Sequence, residues 1–184
     1  MSFKNILFIF VFYFYTLEIY ANNKNKIINQ LDNLNSLEFT FNQMVNNEIE
    51  KGSCLLKFPG KLKCQYFDTF EKEIIINNKK LVITQRRYNK TYYYPISESP
   101  FLNILYKDKL FELINNGIIK SDAESIKLVN KYENKIIIYF DKTNLDLKGW
   151  KIEDQYNNKI NFDLKIQAKN DYYEDKVFKL PKIN

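Results

Sequence analysis

Between residues 37 and 95 apolar side chains recur at every second position in one short run after another, and each run is broken by a turn signal. That period of two is the spacing of strands with one buried face, because successive side chains of a strand point to opposite sides. The run GSCLLKFPGKLKCQYF, residues 52–67, shows it best. Cys54, Leu56, Phe58, Leu62, Cys64 and Tyr66 fall on one face; Ser53, Leu55, Lys57, Lys61, Lys63 and Gln65 fall on the other. For both strands to keep the apolar face inward, the connection through Pro59-Gly60 must hold an odd number of residues, and that register sets Cys54 opposite Cys64. Opposed Cα atoms lie about 4.5 to 5.5 Å apart. This is within reach of a disulfide, and the residues alone leave open a bridge or two free, inward-facing thiols.

The same alternation predicts strands near 37–46, 49–57, 61–67, 72–77, 80–86 and 91–95, with Asn77-Asn78 suited to a tight turn. Strands resume at about 118–131, 135–141, 145–153 and 159–168, the last two joined by a turn at Asn157-Asn158. Three short helices are expected. Ile27, Ile28, Leu31 and Leu34 have helical spacing ahead of the sheet. Ser99-Pro100 opens a second helix with Phe101, Leu102 and Leu105, and Leu110, Phe111 and Ile114 mark a third that stops at Gly117. Val177, Phe178 and Leu180 form an apolar set that can dock back. About ten strands with three helices make a mainly β, α+β fold. A sheet that large must curl, and its helices need apolar surface to cover, so they are placed over the concave face.

The start of the chain has a different pattern. Lys4, an apolar run from Ile6 to Tyr15, and Ile19 and Ala21 at the −3 and −1 positions have the layout of a secretory leader. The run is short of the roughly 20 residues a membrane span requires. The expected domains are therefore a leader over 1–21 and one domain over 22–184. No cysteine follows the cleavage position, which argues against a lipid-modified product, and an exported setting permits a disulfide.

Composition removes chemistry. The chain has no histidine, so Ser-His and Cys-His nucleophilic pairs and histidine metal sites are absent. Glycines at 52, 60, 117 and 149 build no phosphate-cradling loop, and two cysteines ten apart are no zinc spacing. Acidic neighbours such as Glu71 with Glu73, or Glu174 with Asp175, read as solvated faces rather than catalytic pairs. We expect no enzyme, cofactor or metal site. The net charge of +6 is spread along the chain, which disfavours a nucleic-acid patch. Aromatics are abundant, with 14 Tyr and 15 Phe, many on strand positions. A curved sheet capped by small helices can enclose more apolar wall than it fills, which suggests a cavity for an apolar ligand.

Several segments in order resemble one family. Phe39-Thr40-Phe41-Asn42-Gln43 fits F-x-F-x-Q after a helix. Gly52, Pro59, Gly60, Leu62, Cys64 and Tyr66 fit a glycine, a strand, a Pro-Gly turn and an aromatic-ending strand. Ile74 to Ile76 lead into the turn Asn77-Asn78-Lys79. Pro95-Ile96-Ser97-Glu98-Ser99-Pro100 precedes Ile104-Leu105, and Gly149-Trp150 is followed by Asp154. From residue 24 onward the chain is similar to the periplasmic lipoprotein carriers of the LolA family.

The resemblance implies an incomplete, curved antiparallel β-barrel lidded by helices, and a periplasmic chaperone whose cavity takes lipoprotein acyl chains. It implies loading by an inner-membrane lipoprotein-releasing ABC transporter, delivery to an outer-membrane lipoprotein receptor, and a monomer. On that reading the cavity wall is Leu56, Phe58, Leu62, Cys64 and Ile74, and the lid is Leu31, Leu34, Phe101, Leu105 and Leu110. Phe58 stands where much of the family has an arginine that ties barrel to lid, so an apolar lid contact is expected in its place. Thr84-Gln85 replaces an aromatic-aspartate pair. The alternative is a periplasmic lipid- or lipoprotein-sensing domain of the same fold.

Overall fold

The structure is a computed structural model that describes residues 23–98, 102–129, 136–153 and 158–181. The leader and Phe101 lie outside the described residues. Among those described, eleven strands form one antiparallel sheet. Half of it is β1 (Ser36–Val45), β2 (Glu48–Lys57), β3 (Lys61–Tyr66), β4 (Lys72–Asn77), β5 (Lys80–Gln85) and β6 (Lys90–Pro95). The other half is β7 (Ile118–Ser121), β8 (Ser125–Val129), β9 (Ile136–Asp141), β10 (Leu147–Glu153) and β11 (Lys159–Lys169). The order β6-β5-β4-β3-β2-β1-β11-β10-β9-β8-β7 makes two meanders joined in the middle by the long β1–β11 pairing. The sheet does not close, and β6 and β7 are its edges.

The chain crosses from one edge to the other through helices. After β6 it runs through a short 3₁₀ turn at Ile96–Glu98 into helix α2 (Leu102–Leu105) and α3 (Lys107–Asn116), and then enters β7. Helix α1 occupies 23–32 and leads straight into β1 at the centre of the sheet. All three helices bring apolar side chains onto one face: Ile27 and Leu31 of α1, Ile104 and Leu105 of α2, and Leu110 and Ile114 of α3 share a single core with the sheet.

The expectation of one strand over 118–131 is corrected. Asp122 breaks it, because its carboxylate accepts the backbone N–H groups of Glu124 and Ser125 and the Ser125 hydroxyl. That turn folds β7 back on β8. The C-terminal segment does dock, on the side of the sheet opposite the helices. It ends in a 3₁₀ turn, Asp175–Phe178, that seats Phe178 fully buried. Ile75 and Val82, cross-strand partners whose side chains leave the main core, are buried on the same convex face.

Candidate functional site

The β2–β3 hairpin holds a three-residue connection, Phe58-Pro59-Gly60, with Lys57 paired to Lys61 and Cys54 to Cys64. Cys54 and Cys64 form a disulfide, with Cα atoms 4.1 Å apart. Both cysteines are buried on the concave face. Gly60 adopts φ 69°, a left-handed conformation that glycine enters without strain.

Around this bridge the strands enclose an apolar cavity of about 30 Å³. Its walls are Phe39, Cys54, Leu62, Cys64, Tyr66, Ile74, Ile76, Leu81, Trp150 and Phe162. One side is a band of packed aromatics across β3, β1, β11 and β10. Tyr66 meets Phe41 edge-on with ring centres 5.0 Å apart, Phe41 stacks on Phe162 at 4.6 Å, and Phe162 stacks on Trp150 at 4.4 Å. Phe41 fits because Gly52 opposes it: a Cβ at 52 would lie 2.7 Å from that ring and 2.2 Å from the Gln65 carbonyl oxygen. Tyr66 is the polar exception in the wall. Its hydroxyl donates to Gln43 Oε1 at 2.8 Å, and burial, helped by Glu50 and Asp68, pushes its pKa well above the usual phenol range, so it stays neutral.

Of the wall residues expected from sequence, Leu62, Cys64 and Ile74 line the cavity. Leu56 is buried in the surrounding core, and Phe58 packs at its margin. Leu31, Leu105 and Leu110 of the lid are buried under the helices, with Leu34 half-buried beside them. Phe39, Tyr66, Ile76, Leu81, Trp150 and Phe162 were not singled out, although all lie on inward strand positions. The signal available was the alternation of each strand taken with its partners, since these residues come from six different strands.

The lid is one unit. Lys24 Nζ donates to the Asn115 and Gly117 carbonyl oxygens, each at 2.8 Å, and Lys107 Nζ donates to the Asp32 carbonyl at 2.6 Å. An ammonium thus meets the carbonyl-rich end of each long helix, which favours positive charge, and α1 and α3 are fastened head to tail. The unit is latched to the sheet at the β2–β3, β4–β5 and β9–β10 turns. Gly60 N–H donates to the Leu105 carbonyl at 2.9 Å, the Tyr106 hydroxyl donates to the Asn78 carbonyl at 3.2 Å, and Gln30 Nε2 donates to Asp146 Oδ1 at 2.6 Å. At Phe58 the side chain packs against the core, and two further contacts join it. Its backbone N–H donates to the Asn35 carbonyl at 2.9 Å, and the Lys107 ammonium sits 5.6 Å from its ring centre. Main-chain hydrogen bonds and a cation over an aromatic ring do the fastening there.

The fold and site define an open antiparallel half-barrel that encloses an apolar cavity beneath a latched helical lid. The chain belongs to the outer membrane lipoprotein carrier protein LolA family, whose sequence profile matches residues 32–181. No curated protein sequence matches it. Among solved structures, it is similar to an uncharacterized conserved protein from Thermus thermophilus, with 9% identity, 91% of this chain and 95% of that one covered, and a TM-score of 0.53. It is similar to the lipoprotein LppX of Mycobacterium tuberculosis, with 8% identity, 85% and 98% covered, and a TM-score of 0.51. It is also similar to the MucA/MucB complex of Pseudomonas aeruginosa, with 9% identity, 88% and 61% covered, and a TM-score of 0.51. At such identities the likeness is one of fold.

Proposed function

We propose that this chain is a non-enzymatic periplasmic carrier that takes the acyl chains of lipoproteins from the inner membrane and releases them at the outer membrane. The observation that supports this most is the pairing of a predominantly apolar cavity with a helical lid whose polar attachments to the sheet are a handful of hydrogen bonds. A sixteen-carbon chain gains roughly 12 kcal/mol on leaving water, so a lipoprotein does not cross an aqueous space uncovered. A membrane stabilises the same chain about as well. The carrier therefore cannot extract it by affinity alone, and loading requires work from an ATP-driven, lipoprotein-releasing transporter. Unloading requires a better site, supplied by an outer-membrane receptor.

The cavity at rest is smaller than one acyl chain, since sites for ligands of that size span about 300 to 1,000 Å³. Loading thus lifts the helical unit away from the Cys54–Cys64 hairpin, and the lid's own apolar side chains cover the space when cargo is absent. Such a site binds loosely and reversibly, as a carrier requires. The test is to incubate the protein with inner-membrane vesicles that contain the transporter, ATP and a triacylated lipoprotein. Lipoprotein should appear in the soluble fraction with this chain, dependent on ATP; a soluble fraction that stays empty of lipoprotein sinks the carrier reading.

A further inference from the structure

In a meander the turns alternate between two ends of the sheet. The β2–β3 and β4–β5 turns lie at the end that holds the latch. The β1–β2, β3–β4 and β5–β6 turns lie at the other, and they carry large apolar side chains that nothing among the described residues covers. The β3–β4 loop exposes Phe67 (70%) and Phe70 (44%), and the β5–β6 turn exposes Tyr88 (53%). Exposed Met44 and Ile49 oppose one another on the neighbouring hairpin. Single exposed apolar residues are ordinary, but a cluster gathered on three adjacent turns at one end marks a contact surface.

The cluster stands on a built platform. Asp68 Oδ1 accepts the backbone N–H groups of Phe70 and Lys72, each at 3.0 Å. The β5–β6 turn is fastened beside it: Arg87 donates from its guanidinium to the Thr69 carbonyl at 3.2 Å, and the Phe70 and Tyr88 ring centres are 5.9 Å apart. Phe67 N–H donates to the Lys51 carbonyl at 2.7 Å. These residues are therefore held outward by structure rather than left over at a loose loop.

Charge selects the occupant. Three nearby carboxylates are engaged: Asp68 in the loop's own backbone, Glu50 by Lys72, and Glu73 by Arg86 and Lys63. Among the described residues at this end, Lys51, Arg87, Lys90 and Lys159 are exposed cations in no ion pair, against Glu48, Glu71 and the half-buried Glu153 opposite Lys159. Apolar and tyrosine side chains flanked by excess arginine and lysine suit a phospholipid surface, where rings enter the interface and cations meet phosphates. A second copy of the chain would set like charges against each other.

We propose that the Phe67, Phe70 and Tyr88 tips, with Arg87 and Lys90, dock this protein directly on an anionic phospholipid bilayer. The surface stands independently of the cavity. It joins the carrier reading only in that docking would hold the half-barrel against the membrane while cargo moves.

The test is flotation of the protein, as isolated from expressing cells, with vesicles of phosphatidylethanolamine and phosphatidylglycerol or of phosphatidylcholine alone. The protein should float with the anionic vesicles, and less so as salt is raised. Phe67→Ser and the double variant Lys51→Glu/Lys90→Glu should each lower the bound fraction about tenfold, with unchanged melting temperature and unchanged uptake of a fluorescent fatty acid into the cavity. Equal flotation of wild type and variants, or no flotation of wild type, overturns the proposal. So does equal binding to both vesicle types. A dimer at high concentration that Phe67→Ser dissociates, without vesicle binding, assigns the surface to a second copy instead. Because fatty-acid uptake is read separately, failure of docking and failure of the carrier reading are distinguishable.

Discussion

At the scale of single residues, two positions in the β2–β3 hairpin control how the aromatic band and the cavity wall are built. Gly52 leaves room for the Phe41 ring and for the Gln65 carbonyl of the next strand. Gly52→Ala should therefore cost about 1 to 3 kcal/mol through overpacking, read as a lower urea midpoint at unchanged slope. The Cys54–Cys64 bridge closes a short loop, with sequence separation 10. Cys64→Ala should destabilise by about 2 to 3 kcal/mol and leave Cys54 as one titratable thiol in the denatured chain, where the wild type shows none before reduction. A wild type with two thiols under those conditions would remove the bridge from the account.

Among elements, the C-terminal strap is the most separable. Phe178 anchors it on the convex face, and Asn77 Nδ2 donates to the Phe178 carbonyl at 3.1 Å. Phe178→Ala should cost about 3 kcal/mol or more, seen in denaturant unfolding, with the far side of the sheet left intact. Asp175 pins the strap to β2 and β3 through Lys57 and Lys61 Nζ, each at 2.7 Å. The hydrogen bond from Lys57, then that from Lys61, hold its pKa down at about 2. A depressed carboxylate contributes stability that is present above its unfolded value of about 3.9 and is lost as pH falls through the folded value. The difference in melting temperature between wild type and Asp175→Asn should therefore shrink between about pH 4 and pH 2. A difference that is flat across that window would mean the pair does not hold the strap.

For the whole molecule, what matters is that the helices connect the two edges of the sheet and cover its concave face while their polar attachments to it stay few. Each hydrogen bond in the latch contributes about 0.5 to 1.5 kcal/mol net. Tyr106→Phe keeps the ring and removes only the bond from its hydroxyl to the Asn78 carbonyl. Uptake of a fluorescent fatty acid should then quicken by about two- to tenfold, with stability lowered by no more than about 1.5 kcal/mol, as stopped-flow fluorescence and denaturant unfolding would read it. Uptake at the wild-type rate would place the limiting step elsewhere. A bound acyl chain should in turn raise the melting temperature with ligand concentration, because only the folded chain offers the cavity.

The sequence alone determined what local chemistry dictates. Alternation along 37–95 placed six strands, Pro59-Gly60 and Asn78 placed their turns, and the spacing of Ile27, Ile28 and Leu31 placed the first helix, although Leu34, expected on it, falls just past its end. The break at Asp122 escaped it, since a side chain capping its own backbone leaves the apolar pattern of the flanking strands intact. Register brought Cys54 opposite Cys64, but whether two opposed thiols are joined depends on their geometry and not on their spacing. Only the tertiary structure decided which inward residues meet around the cavity, because Trp150 and Phe162 reach Phe41 through the β1–β11 pairing of strands more than a hundred residues apart. It also decided how a lid fastens where Phe58 offers no polar side chain, since main-chain groups leave no trace in the identity of the residues that carry them.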